Sequence, residues 1–220
     1  MTRCHVPLTP SAMARPAKEF SSFADPISGS DACFSSDGFY RWWLRRQWAP
    51  KKRRLIFIGL NPSRANARDD DPTLRRLIDF AHRWGFGDLV VLNLFARTSP
   101  DPAALRTVCD PVGIEANAVL CHWASQWSMD ASMDLWCGWG EKGAFLDRSR
   151  RVQQLLNPSC HHRQKVLPEE RGPLMLGLTR GGQPRHPLFA PKDKSLVSLV
   201  WAETCSIRHP ETRLPDTGLY

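Results

Sequence analysis

Leu55-Ile56-Phe57-Ile58-Gly59-Leu60-Asn61-Pro62-Ser63-Arg64 is the stretch that decides how the rest of the chain is read. Six consecutive apolar or glycine positions, rich in isoleucine and phenylalanine, have the composition of a strand buried on both faces. The run stops at Asn61-Pro62-Ser63, where the proline removes a backbone donor and keeps Asn61 out of the helical region. A doubly buried strand ending in a polar turn puts that turn at the carboxyl edge of an open α/β sheet, where such folds bind ligands. Asn61 is therefore the first candidate for an active-site residue.

Downstream, Asp69-Asp70-Asp71-Pro72-Thr73 carries a helix start: Asp71 as N-cap and Pro72 at the first helical position. Leu74, Leu77, Ile78, Ala81 and Trp84 recur at helical spacing, and Gly85 closes the helix. The three aspartates are also a set that could hold Mg²⁺, although capping already uses them. Asp88-Leu89-Val90-Val91-Leu92-Asn93-Leu94-Phe95 is a second strand, apolar until Asn93. Strand, helix, strand at this spacing is a right-handed βαβ unit with parallel strands, so Asn61 and Asn93 should face one cleft.

A helix is predicted from about 113 to 127 and a third strand at 133–137, leaving through Gly138-Trp139-Gly140. A further helix over 141–156 should stop at Asn157-Pro158. Pro173 to Leu178 reads as a fourth strand feeding Thr179-Arg180-Gly181-Gly182-Gln183-Pro184-Arg185-His186-Pro187, in which Pro187 holds His186 extended. A last helix is predicted from Pro191 through Val200. Upstream, Phe39 to Trp48 interleaves aromatics with arginines. It is an edge strand or a helix turn covering the sheet, its tryptophans packing and its arginines also suited to phosphates. Residues 1–34 read as a loosely ordered leader, 35–205 as one α/β domain and 206–220 as a polar tail.

The chain has 220 residues, 42% hydrophobic and 24% charged, enough for one sizeable core. No apolar run approaches the roughly 20 residues that span a bilayer, and the amino terminus lacks a secretory core. A cytoplasmic protein without a membrane partner is expected. Seven cysteines are scattered without a Cys-x-x-Cys pair, so neither a metal site nor a redox pair is indicated. No cofactor is expected. Lys and Arg outnumber Asp and Glu by 30 to 22, giving a net charge of +8, which attracts polyanions.

Taken together, Gly59-Leu60-Asn61-Pro62-Ser63, Asp70-Asp71-Pro72-Thr73, Asn93-Leu94-Phe95, Trp139-Gly140, the 177–184 loop and Arg185-His186-Pro187-Leu188 resemble the bacterial family called domain of unknown function 1643. That resemblance covers roughly residues 35–190 and implies no activity. More distantly, the motif order is similar to the uracil-DNA glycosylase superfamily. Gly59-Leu60-Asn61-Pro62 is similar to the Gly-Ile-Asn-Pro turn of its mismatch-specific branch, and Val90-Val91-Leu92-Asn93 to the strand carrying a base-reading asparagine. His186-Pro187-Leu188 partly matches a His-Pro-Ser motif, with Leu188 in place of the serine.

This second resemblance implies a three-layer α/β/α sandwich on a short, mostly parallel four-stranded sheet of order 2-1-3-4. It implies an N-glycosidase, monomeric, removing a damaged or modified base from nucleic acid, DNA before RNA, or acting on a nucleotide. Asn61 would orient water and His186 would donate to the departing base. Asn93 would read a base edge and Phe95 would stack on it. Pro62, Ser63 and Trp139 would line the substrate, while Arg64, Arg180 and Arg185 would hold flanking phosphates. Asn61 also suits a plain Asx turn, and His186 a hydrogen-bonded loop. A non-catalytic nucleic-acid or nucleotide-binding module is the second functional expectation, and a metal-dependent phosphohydrolase using Asp69, Asp70 or Asp71 the third.

Overall fold

The computed structural model describes residues 30–63, 65, 66 and 68–201. Ten elements position the site: strands β1 (Ser30–Phe34), β2 (Arg41–Gln47) and β3 (Arg54–Gly59), helix α1 (Pro72–Arg83), strand β4 (Asp88–Asn93), helix α2 (Ala116–Met129), strand β5 (Met133–Cys137), helix α3 (Arg148–Val166), and the two-residue strands β6 (Leu174–Met175) and β7 (Val197–Ser198).

β3 is the central strand. It runs parallel to β4 through pairs from Arg54↔Asp88 to Gly59↔Asn93, and parallel to β5 through pairs from Arg54↔Met133 to Ile58↔Cys137. β6 extends the parallel set through Trp136↔Leu174. The four expected strands therefore lie in the order β4-β3-β5-β6. The sheet is larger than expected: it has seven strands and is mixed, with order β1-β2-β4-β3-β5-β6-β7. β2 pairs antiparallel with β4, β1 with β2, and β7 with β6.

Alternation along β3 separates the two faces. Leu55 and Phe57 pack with Leu74, Leu77, Phe80 and Ala81 of α1. Ile56 and Ile58 pack with Val119, Leu120 and Trp123 of α2 and Val152 and Leu156 of α3. Helices thus cover both faces, which gives the three layers, and continuous rather than alternating hydrophobicity is what such a strand requires. The helix start at 71–72 is as predicted: the Asp71 side chain accepts from Leu74 N at 2.8 Å, with Pro72 in the first turn.

Four expectations are corrected. The aromatic and basic segment is an interior strand between β1 and β4, neither an edge strand nor a helix turn. It is held at one end by ion pairs from Arg45 and Arg54 to the buried Asp88. Residues 30–34, expected in the leader, form the edge strand β1; residues 1–29 and the 206–220 tail lie outside the described residues. The helix expected over 141–156 begins as a kinked 3-10 segment, Glu141–Asp147, and α3 then runs past Pro158 to Val166. Pro158 costs about 3 kcal/mol inside a helix. Arg163, only 1% exposed, anchors the far side by donating to the carbonyls of Trp127, Asp130, Met133 and Arg171. The helix predicted over 191–200 is replaced by turns and β7, whose two residues pair with β6. No helix among the described residues is long and apolar enough to cross a membrane.

Candidate functional site

β3, β4 and β5 all end at one edge of the sheet, and a cavity of about 560 Å³ opens there. That volume suits a small organic ligand. Its floor is apolar, built from Leu44, Phe57, Leu60, Leu74, Leu77 and Val91. Asn61, Ser63, Asn93, Trp139, Arg185 and His186 all lie in its wall.

The Asn61 turn is tied to the segment leaving β4. Leu94 N donates to Gly59 O and Phe95 N to Leu60 O, both at 2.9 Å. The Asn61 side-chain nitrogen donates to the carbonyls of Pro62 and Ser99, each at 2.9 Å. Carbonyls can only accept, so these two bonds fix which end of the amide is nitrogen. Among the described residues nothing donates to Oδ1, which can accept a hydrogen bond from something in the cavity. The Asx-turn alternative therefore captures half of the residue: its donor end holds the loop and its acceptor end does not.

Asn93 is the last residue of β4 and pairs across the sheet with Gly59. Its Oδ1 lies 3.2 Å from where a Cβ on Gly59 would stand, so the glycine leaves room for the amide to lie over the end of β3. Asn93 is only 7% exposed, and its amide nitrogen is enclosed without an acceptor. Several tryptophan and arginine nitrogens elsewhere are enclosed in the same way, but of these residues only Asn93 and Arg41 line the cavity.

His186 arrives from the opposite side of the cavity. A hairpin spanning 177–185 is closed by Thr179 N to Gln183 O and Arg185 N to Gly177 O, both 2.8 Å, and Gly140 N donates to Pro184 O at 2.8 Å. Gly140 has φ +73, and a Cβ there would stand 3.2 Å from the His186 Cβ. The close approach of the two loops depends on that glycine. The Leu188 N–H donates to His186 Nδ1 at 3.3 Å, so the ring proton belongs on Nε2. Burial pulls the imidazole pKa down to about 4, against an opposing pull from Asp71. His186 is thus a neutral hydrogen-bond donor at physiological pH.

Other sequence candidates fall differently. Trp139 is wall and brace: it is buried, and its Nε1 donates to Gln183 Oε1 at 2.9 Å. Pro62 is buried behind the turn, outside the wall, and its carbonyl accepts from Asn61 and Ser99. Phe95 does not reach the cavity; it is fully buried against Phe145 on the α2–α3 face, ring centroids 5.7 Å apart. Arg180 is exposed on the hairpin and outside the wall, and Arg64 lies outside the described residues. The aspartates turn to separate partners: Asp69 accepts from Asn66, Asp70 from Arg46, and Asp71 caps α1. Among the described residues no three His, Cys, Asp or Glu side chains gather as a metal site.

Two further wall residues matter: Phe189 had no assignment from sequence, and Arg41 had only the general suitability of the 39–48 arginines for phosphates. Phe189, 76% exposed, stands in the wall beside His186, ring centroids 5.8 Å apart, and offers the aromatic face that Phe95 does not. Arg41 begins β2, and because β2 runs antiparallel to β4 its first residue comes to the carboxyl edge. No sequence signal announces that pairing.

A family model described as a protein of unknown function (DUF1643) matches residues 41–188. No curated protein and no solved structure matches the chain.

Proposed function

We propose, for a chain that belongs to the DUF1643 family of proteins of unknown function, that the carboxyl-edge cavity takes up a nucleobase and that the protein cleaves the N-glycosidic bond holding it, in nucleic acid or a nucleotide. The observation that carries this reading is the meeting of Asn61, Asn93 and His186, from three distant parts of the chain, on one cavity. The strand order β4-β3-β5-β6 with helices on both faces agrees with the 2-1-3-4 order of a uracil-DNA-glycosylase-like fold.

The chemistry follows from the groups present. As the bond from the anomeric carbon to the base breaks, its electron pair goes to the base and the sugar becomes cationic. Water adds to the anomeric carbon, positioned by Asn61 Oδ1, and its proton passes to solvent; the departing base anion takes up a proton. Asn61 is no strong base, and none is needed when the sugar is already electron-poor. His186 Nε2–H donates to a base carbonyl as charge builds there, which in comparable sites is worth about 3–4 kcal/mol. A ring held neutral by burial donates equally well across the neutral range. Asn93 reads the base edge and Phe189 supplies the stacking face. The target base must be flipped out or single-stranded, and Arg180 and Arg185 on the exposed hairpin meet flanking phosphates.

The test is to incubate the protein with oligonucleotides carrying a panel of damaged and modified bases and to assay abasic sites. Release of one base class is expected, lost by roughly 100-fold or more in Asn61→Ala and His186→Ala. Binding to plain DNA should weaken steeply with salt. A folded protein that releases no base from any substrate overturns the excision reading. A non-catalytic nucleotide-binding module is then the second reading, favoured by the enclosed Arg41, and it requires that both alanine variants bind as the wild type does. The metal-dependent phosphohydrolase has less support, since all three aspartates are already engaged.

A further inference from the structure

β2 carries three arginines, and their fates differ. Arg45 pairs with Asp88 at 2.6 Å and Arg46 with Asp70 at 2.8 Å. Arg41 is 4% exposed, yet among the described residues it forms no ion pair. Its Nη1 donates to Ala65 O at 2.7 Å, its Nε is enclosed without an acceptor, and its Nη2 is also without a partner. Asp71, which also lines the cavity, is the acid that pulls on it, but that carboxylate caps α1 through Leu74 N. Asn93 adds a second enclosed and unsatisfied donor to the same wall.

An unpaired buried charge is among the most expensive features a fold can carry. Lysine or histidine could escape by losing a proton. Arginine cannot: burial brings Arg41 down only to about 10, so it is charged at neutral pH. The fold holds a charged guanidinium in the cavity wall beside an apolar floor, one arm on the Ala65 carbonyl and Nη2 unfilled.

We propose that Arg41 is the receptor for an oxyanion, a phosphate or carboxylate carried on an apolar or aromatic body that fills the cavity. The ligand supplies the counter-charge that the protein withholds, and a bidentate fork suits either anion. The apolar floor excludes a bare, fully hydrated ion as the best occupant. This inference rests on the cavity alone and does not require base excision.

The test is calorimetric titration and thermal unfolding of the full chain in a low-salt buffer free of phosphate. The probes are inorganic phosphate, benzoate, a nucleoside 5′-monophosphate panel and the parent nucleosides. The wild type should bind an oxyanion with an aromatic body at least about tenfold more tightly than its uncharged counterpart. Arg41→Met should lose that preference while unfolding, without ligand, at or above the wild-type temperature. Arg41→Lys keeps the charge but not the fork and should bind severalfold more weakly. Tightest binding of a nucleotide assigns the oxyanion to a phosphate; tightest binding of benzoate assigns it to a carboxylate. Unchanged affinity in whichever variant folds, or a wild type that binds none of the oxyanions, overturns the proposal. So does an Arg41→Met variant that unfolds well below the wild type while Arg41→Lys binds normally, because Arg41 would then only be holding the Ala65 carbonyl.

Discussion

The two edges of the parallel sheet treat polar groups in opposite ways. Where the strands begin, every buried carboxylate is matched. Asp88 opens β4 and receives Arg45 at 2.6 Å, Arg54 at 2.9 Å and the Gln47 amide at 3.3 Å. Asp134, 0% exposed near the start of β5, receives Arg53 at 2.9 Å and Arg171 as well. Where the same strands end, the accounting is left open among the described residues: Asn61 has a free acceptor, His186 a free donor, and Arg41 and Asn93 enclosed donors without acceptors. At one edge the buried carboxylates are all matched, although the Arg53 Nε is enclosed without an acceptor; at the other the open groups face a cavity. Polar groups left open on a cavity are the ones a ligand can satisfy, and here both kinds of edge belong to the same few strands.

Breaking the finished edge should have the largest effect. Asp88→Ala removes the buried carboxylate that Arg45 and Arg54 share and should cost about 3–5 kcal/mol in urea unfolding. The next effect is a pH dependence from the open edge. His186 has a folded pKa near 4 against the usual 6.5, so the unfolded chain binds its proton first. The associated stability is fully present above about pH 6.5 and is lost as pH falls toward 4, an effect of about 1–3 kcal/mol. His186→Gln should flatten that part of the stability profile. Gly140→Ala sharpens the comparison further. Gly140 has φ 73 and ψ −175, a region open almost only to glycine, so a loss of about 1–3 kcal/mol is expected. The new Cβ also presses on His186, so the variant should blunt the same pH dependence.

How much of this was legible in the sequence follows from where the physics is local. β3 could be read because a strand buried on both faces is apolar without interruption, and α1 because its cap and proline are adjacent residues. Asn61, Asn93 and His186 could be placed at strand ends or in a proline-held loop, and the cavity collects them. β2 could not be read. Its arginines are paid for by Asp88 and Asp70, which lie far along the chain, and its antiparallel pairing with β4 is a property of the assembled sheet. That hid Arg41 as a wall residue. Phe95 continues the apolar run of β4, and nothing in the sequence says that the chain has by then turned away from the cavity into the core. Pro158 reads as a helix end because the bonds that hold α3 beyond it, from Arg163, are tertiary.

The smallest expected effect is the most telling about the open edge. Replacing a buried asparagine by leucine ordinarily breaks hydrogen bonds and strands their partners, at a cost of about 1–3 kcal/mol. Asn93 has an amide nitrogen that donates to nothing. Leucine has nearly the same shape, and it removes the unsatisfied donor without depriving a neighbour. Asn93→Leu should therefore leave stability within about 1 kcal/mol of the wild type, or raise it, in urea unfolding at neutral pH. Ligand binding in the cavity should fall in the same variant. A large destabilisation would mean that the amide is bonded within the fold, and the contrast between the two edges of β4 would disappear.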